Sequence, residues 1–225
     1  KLCSFDCIYC ECGWGEKREK VRFNDRETVR RELERKLTEM VEAGTPPNVI
    51  TFAGNGEPTL HPDFGEIIED TIALRDRITP RAKVSVLSNA TQIGRERVRA
   101  ALLRVDNNIL KLDSAFDRTV RLVDRPRGNY SVAETVENMK KFEGQLIVQT
   151  MFLRGEFEGK IVDNTTEEEV SAWLALIREI APRQVMVYTI DRSTPAENLQ
   201  KVTVEELKAI AARVEALGIT CSVAG

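Results

Sequence analysis

The chain has 225 residues, which is enough to bury a sizeable core without disulfide bonds. Hydrophobic residues make up 42% of it and charged residues 31%, a composition typical of globular proteins. Its 33 basic and 36 acidic residues give a formal net charge of −3, which does not support a broad nucleic-acid-binding surface. The sequence shows neither an apolar run of about 18 residues nor a basic start followed by an apolar segment, so we expect a cytoplasmic protein with no membrane partner.

The first element of the chain is a cluster of cysteines. Cys3, Cys7 and Cys10 lie in C-S-F-D-C-I-Y-C, and Cys12 follows two residues later. Clustering of this kind in a chain that otherwise looks cytosolic favours metal binding over disulfides. Thiolates bind soft metals, and the spacing C-x3-C-x2-C puts three sulfurs on one tight loop.

Three interpretations of this loop are open from the residues alone. A [4Fe–4S] cluster could be held by Cys3, Cys7 and Cys10, which leaves one iron for an outside ligand. A zinc ion or an iron–sulfur centre could take Cys12 as a fourth ligand in a structural module without catalysis, or the thiols could be unligated. Zinc sites usually pair two knuckles, whereas this sequence has one knuckle and a single histidine, His61. The three-cysteine cluster is therefore favoured.

Amphipathic helices follow the loop, and their starts carry capping boxes. Asn24 with Glu27 predicts the start of the first helix, and Gly44 predicts its end. Three later pairs predict further starts: Ser131 with Glu134, Thr166 with Glu169, and Thr203 with Glu206.

Six short, β-branched apolar runs alternate with the helices and predict buried strands. They cover residues 49–53, 83–88, 108–113, 146–152, 184–190 and 219–223. A repeating strand–helix order predicts parallel strands joined by crossover helices, in either an open sheet or a (β/α) barrel. We expect one domain over residues 1–225, which could belong to a longer protein.

Both architectures place binding residues at the carboxyl ends of the strands. In N-I-L-K-L-D, the period of two puts Lys111 and Asp113 on the face opposite Leu110 and Leu112, which suggests a polar interior. The other candidates at strand ends are Gly54, Asn55, Gly56, Glu57, Ser88, Asn89 and Gln149.

The cysteine spacing with an aromatic residue, Tyr9, before the third cysteine resembles the cluster motif of the radical S-adenosylmethionine (SAM) superfamily. A-G-N-G-E-P-T-L at residues 53–60 resembles its Gly-Gly-Glu-Pro segment, with Asn55 added between the glycines. V-L-S-N-A-T at residues 86–91 and the passage 112–130 resemble weaker elements. The combination is most similar to a group of radical SAM proteins commonly labelled as related to the tRNA wyosine-synthesis enzyme.

This resemblance implies an α/β fold with a partial (β/α) barrel of parallel strands. Superfamily members have a strand before the cysteine loop, and we expect that first strand to be missing from this chain. The resemblance also implies a radical SAM enzyme of oxidoreductase or transferase type, with a [4Fe–4S] cluster on Cys3, Cys7 and Cys10. The reduced cluster would cleave SAM to a 5′-deoxyadenosyl radical, which abstracts hydrogen from an unidentified substrate.

The resemblance further implies which residues bind SAM. Tyr9 would contact the adenine, residues 54–57 would surround the methionyl amino group, and Ser88 with Asn89 would meet the carboxylate or ribose. Lys111 and Asp113 would contact the carboxylate and ribose or form an internal pair, and Gln149 would donate to the ribose. No catalytic residue is assigned. The implied partners are an electron donor such as flavodoxin or ferredoxin and a substrate that is an RNA base, a peptide or protein, or a small molecule.

Overall fold

The central element of the computed structural model, which describes residues 1–13 and 22–225, is a six-stranded parallel sheet. Its strands follow one another in chain order: β1 (Val49–Phe52), β2 (Lys83–Ser88), β3 (Asn107–Lys111), β4 (Ile147–Met151), β7 (Gln184–Tyr188) and β9 (Thr220–Ala224). Strands β1 and β9 are the two edges, so the sheet is open, as a partial barrel requires. All six predicted strands, the α/β class and the parallel sheet are confirmed.

A second, three-stranded sheet was not predicted from the sequence. It consists of β5 (Leu153–Phe157), β6 (Lys160–Asp163) and β8 (Leu199–Lys201), in the order β6-β5-β8 with antiparallel pairing. Glu158 and Gly159, both at positive φ, form the turn between β5 and β6. These strands are more polar than those of the central sheet, and β5 contains Gly155, so they give no apolar strand pattern in the sequence.

The described residues form seven α-helices, of which the first precedes β1 and the others lie between strands. They are α1 (Arg26–Glu42), α2 (Phe64–Ile78), α3 (Glu96–Leu102), α4 (Asp117–Val123), α5 (Val132–Lys140), α6 (Glu167–Ile180) and α7 (Val204–Glu215). No helix in residues 1–13 or 22–225 is long and apolar enough to cross a membrane.

The predicted helix starts need one correction. The N-cap of α1 is Asp25 and not Asn24, because the Asp25 carboxylate accepts from the Thr28 amide at 2.8 Å and also from the Thr28 hydroxyl. The N-caps Ser131, Thr166 and Thr203 are confirmed. The Thr203 box is complete, whereas Glu169 turns inward to the hydroxyls of Ser114 and Thr119.

Two apolar clusters lie against the central sheet. The larger one fills the space between the sheet and the helices and includes Leu110, Leu112 and Trp173. The smaller one contains Met151 together with residues 5 and 7–9 of the cysteine segment. The N-terminal segment is thus packed into the protein on the side of the sheet that the helices do not cover.

The N-terminal segment is joined to the sheet at one close contact. Residues 1–13 form no strand, but Leu2 makes an isolated parallel bridge with Gly56, and the Glu57 amide donates to the Leu2 carbonyl at 2.8 Å. Gly56 has φ = +146°, and a Cβ at this position would lie 2.4 Å from the Leu2 oxygen. Only glycine allows the two backbones to approach this closely.

We expect Gly56→Ala to lower the free energy of unfolding by about 2 kcal/mol or more, because it adds a backbone clash to an unfavourable φ. The control is Gly159→Ala in the β5–β6 turn, where φ is +72° and nothing lies within 4 Å of the added Cβ. This control should cost only about 1 kcal/mol. Urea denaturation measures both, and equal losses would contradict the role given to the Leu2 contact.

Candidate functional site

The candidate site is built where the cysteine loop, residues 3–12, meets the carboxyl ends of β1 to β4. The Leu2–Gly56 bridge brings the loop to the end of β1. At the end of β2, the Asn89 side-chain amide donates to the Ser4 hydroxyl at 2.9 Å and to Cys3 Sγ at 3.5 Å. The tip of the loop reaches the end of β3 through Tyr9.

The three thiols of the motif have different surroundings. Cys7 is buried, and its thiol donates to the Asp124 carboxylate at 3.3 Å. Cys3 and Cys10 are partly exposed, and their sulfurs accept hydrogen bonds: Cys3 from the Phe5 amide at 3.4 Å, and Cys10 from the Lys1 ammonium at 3.0 Å. Burial raises the pKa of the Cys3 and Cys7 thiols.

Cys12 lies at the end of the same loop, where its thiol is hydrogen-bonded with that of Cys10. Its thiol is partly exposed and donates to the Gly54 carbonyl at 3.5 Å. Within residues 1–13 and 22–225, no three His, Cys, Asp or Glu side chains are arranged to hold a single metal ion. A site for one zinc ion on four thiolates would therefore need these thiols to move together.

Glu57 fixes the junction between β1 and β2. It is 3% exposed, and its carboxylate accepts from the Ser88 hydroxyl at 2.8 Å and from the Asn89 amide at 2.7 Å. It also accepts from the amide and hydroxyl of Thr59. Burial raises the pKa of this carboxyl although all four hydrogen bonds act to lower it. The structure brings Glu57, Ser88 and Asn89 together; their contact with SAM stays a prediction.

A second polar group fills the interior beside the end of β3. Tyr9 is 8% exposed, and its hydroxyl contacts the Lys111 ammonium and the carboxylates of Asp113 and Asp124. Lys111 and Asp113 form an ion pair at 3.2 Å, and the second Asp113 oxygen accepts from the Met151 amide at 3.0 Å. Lys111 and Asp113 therefore form the internal ion pair that was one of the two alternatives predicted for them.

The electrostatics of this group follow from burial and from the close carboxylates. Burial raises the pKa of the Tyr9 hydroxyl, and burial with the charge of Asp113 raises the pKa of Asp124. Burial alone would lower the pKa of Lys111, but the nearby negative charges, Asp113 first, raise it overall. Lys111 thus stays charged within the protein. Tyr188 on β7 also contacts Lys111, and burial raises its pKa to about 12.

Gln149 on β4 lies in register with Lys111 on β3, so both side chains are on the same face of the sheet. Gln149 is half-buried.

The four arginines of residues 118–127 each contact a different partner. Arg118 pairs with Glu168, Arg121 donates to the Tyr130 carbonyl, Arg127 pairs with Asp6, and Arg125 lies over the Phe157 ring.

Asp124 is a central residue of the site that sequence reasoning missed. It is 1% exposed and contacts both Cys7 and Tyr9, which precede it by 117 and 115 residues. It stands in D-R-P-R, a polar stretch after a helix, which typically predicts a solvated turn. No local pattern indicates that its side chain turns inward.

Comparisons with solved structures show the fold. The crystal structure of a radical SAM methyltransferase from Sphaerobacter thermophilus matches with a TM-score of 0.72 and 15% identity, over 99% of this chain and 63% of that chain. The crystal structure of archaeal TYW1 matches with a TM-score of 0.55 and 13% identity, over 90% of this chain and 68% of that chain. At these identities the likeness concerns the fold alone.

Sequence comparisons show the family. The chain is 31% identical over 201 residues to UPF0026 protein slr1464 of Synechocystis, covering 87% of this chain and 68% of that protein. It spans between 29% and 68% of the lengths of the curated relatives that it matches. The family model described as Radical SAM superfamily matches residues 1–165. This chain therefore belongs to the radical SAM superfamily, and its likeness to the Synechocystis protein also makes it a member of the UPF0026 family.

Proposed function

We propose that this chain is the core of a radical SAM enzyme that binds its cluster through Cys3, Cys7 and Cys10. Members of the superfamily use a [4Fe–4S] cluster and SAM. The single observation that carries the proposal is convergence. The cysteine loop and the polar ends of β1, β2 and β3 come from distant parts of the chain and meet at one edge of the sheet.

The donor set supports a cluster of several irons. Each thiolate of such a cluster binds its own iron, so the three sulfurs need not converge on one ion. Cys3 and Cys10 already accept hydrogen bonds from N–H donors, an environment that suits thiolates. Burial raises the pKa of Cys3 and Cys7, but coordination to a metal deprotonates a thiol outright.

A reduced [4Fe–4S] cluster bound here would supply the one electron that breaks the sulfonium–carbon bond of SAM, giving methionine and the 5′-deoxyadenosyl radical. The residues of this chain bind and orient the cosubstrate and keep water from it. Gly54, Asn55 and Gly56 offer backbone groups at the end of β1, and Ser88 and Asn89 offer hydroxyl and amide groups at the end of β2. Lys111 and Asp113 supply charge, Gln149 supplies an amide, and Tyr9 has its ring buried beside the loop.

The finer assignment concerns substrate and partners. We propose a cytoplasmic enzyme of oxidoreductase or transferase type that takes its electron from a donor such as flavodoxin or ferredoxin. Its substrate would be an RNA base, a peptide or protein, or a small molecule. The relation to the wyosine-synthesis group is supported by one distant structural match, archaeal TYW1. The UPF0026 relatives match over similar shares of this chain at higher identity.

Single cysteine substitutions test the ligand set. We expect Cys3→Ala, Cys7→Ala and Cys10→Ala to lose the [4Fe–4S] absorption and most of the bound iron after anaerobic reconstitution, because each removes a ligand. The matched control, Cys12→Ala, should keep both. With reductant and SAM, the wild-type protein should release 5′-deoxyadenosine and methionine. Cleavage that persists in Cys7→Ala, or one zinc per chain without iron and sulfide, would contradict the proposal.

A substitution on β4 tests the cosubstrate site. We expect Gln149→Leu to weaken SAM binding to the reconstituted protein about fivefold, since one hydrogen bond contributes about 1 kcal/mol. Gln184→Leu is the matched control, because Gln184 begins β7 at the opposite end of the sheet and its amide donates to Ser222. Equilibrium dialysis measures both affinities at equal iron content. An equal effect of the two variants would argue against the predicted role of Gln149.

A further inference from the structure

The segment at the C-terminal end of α4, residues 123–127, is hydrogen-bonded along the cysteine loop. Three backbone hydrogen bonds join them: Ile8 N to Val123 O at 2.9 Å, Asp6 N to Asp124 O at 3.0 Å, and Arg127 N to Ser4 O at 2.8 Å. These bonds run in both directions and cover both sides of Cys7. They involve no thiol, so they do not depend on whether the cysteines carry protons or bind iron.

Asp124 adds side-chain contacts to this backbone pairing. One oxygen of its buried carboxyl group accepts from Cys7 Sγ at 3.3 Å and from the Tyr9 hydroxyl at 3.2 Å. Through its carbonyl and its carboxylate, this one residue contacts Asp6, Cys7 and Tyr9. The middle of the cysteine loop is thus held from one position.

Two further side-chain contacts support the pairing. Arg127 forms an ion pair with Asp6 at 3.0 Å, and the two side chains are 37% and 15% exposed. The Phe5 ring packs edge-on against Tyr130 with 5.4 Å between the ring centroids. Val123 itself belongs to the apolar cluster that contains Phe5, Cys7 and Ile8.

The cysteine loop needs such contacts for a physical reason. It forms no helix or strand of its own, and ordering each residue costs about 1–2 kcal/mol of conformational entropy. A metal site is bound most tightly when its ligands are already ordered. An external segment that fixes the loop can therefore supply the order that the loop lacks.

We propose that residues 123–127 are a clamp that holds the cysteine loop in its binding conformation, with Asp124 as the positioning residue. The part of this inference that concerns iron rests on the proposed function above. The part that concerns the loop can be tested on protein without a cluster. Asp124 acts through Cys7 and Tyr9, and no chemical step is assigned to it.

The first test uses the full chain without iron and measures the alkylation rate of each cysteine by iodoacetamide. We expect Asp124→Ala to raise the rate at Cys7 about tenfold, because it removes the hydrogen bonds of Asp124 with Cys7 and Tyr9 and lets the buried thiol reach solvent more often. Arg127→Gln should raise the alkylation rate of Cys7 about threefold, because it removes the ion pair with Asp6. Arg118→Gln is the matched control: it removes the surface pair with Glu168, at 2.7 Å, away from the loop.

Cys221, on β9, is the internal reference for global stability. A rise at Cys7 with an unchanged rate at Cys221 supports the clamp, and faster hydrogen exchange at the Asp6 and Ile8 amides should accompany it. Equal rises at both cysteines would overturn the clamp, since they would mean general unfolding. If Asp124→Ala does not fold, the same readouts on Arg127→Gln decide.

The second test uses reconstituted protein and follows cluster loss to a chelator by absorbance. We expect loss to be about tenfold faster in Asp124→Ala and about threefold faster in Arg127→Gln, with Arg118→Gln at the wild-type rate. Wild-type rates in both clamp variants, together with unchanged alkylation, would overturn the clamp. A wild-type protein that takes up no iron would contradict the proposed function, while the alkylation result would still decide the clamp.

Discussion

The backbone pairing of the cysteine loop with its neighbours is the constraint on which the site depends. A loop without regular structure must satisfy its backbone donors and acceptors elsewhere, or be left solvated and mobile. Here Leu2 pairs with Gly56, just beyond β1, and residues 4–8 pair with residues 123–127 at the C-terminal end of α4. These bonds, together with the Cys10 amide that donates to the Cys7 carbonyl at 3.1 Å, help to set the positions of the three thiols.

The polar interior beside the loop is stable because its groups satisfy one another. Moving a lysine and two carboxyl groups out of water costs several kcal/mol for each ion unless partners compensate. Lys111, Asp113, Asp124 and the Tyr9 hydroxyl form one connected network, and burial raises the pKa of Asp124. A raised pKa lets one carboxyl keep its proton, which reduces the buried charge. The network ties the loop to β3 without an unbalanced charge in the interior.

Sequence patterns predicted the elements whose structure is determined by residues close together in the chain. The six parallel strands follow from β-branched runs, and the inward face of Lys111 and Asp113 follows from the period of two. The N-cap of α1 was misplaced by one residue, because Asn24 and Asp25 are both good caps and only the Thr28 contacts distinguish them. Asp124 and the β6-β5-β8 sheet were missed, since both depend on partners far away in sequence.

Glu57 has a structural role beside the SAM contact that the resemblance implies. The resemblance gives this carboxylate to the ammonium group of SAM. A carboxylate has about four lone-pair sites, and Glu57 already accepts from the amide and hydroxyl of Thr59, the Ser88 hydroxyl and the Asn89 amide. Three of these donors share Oε1, whereas Oε2 accepts from the Asn89 amide alone, so Oε2 is the oxygen that could accept from an ammonium group. In this chain, the hydrogen bonds of Glu57 with Ser88 and Asn89 join the segment after β1 to the end of β2. A contact with SAM would be made in addition to these bonds.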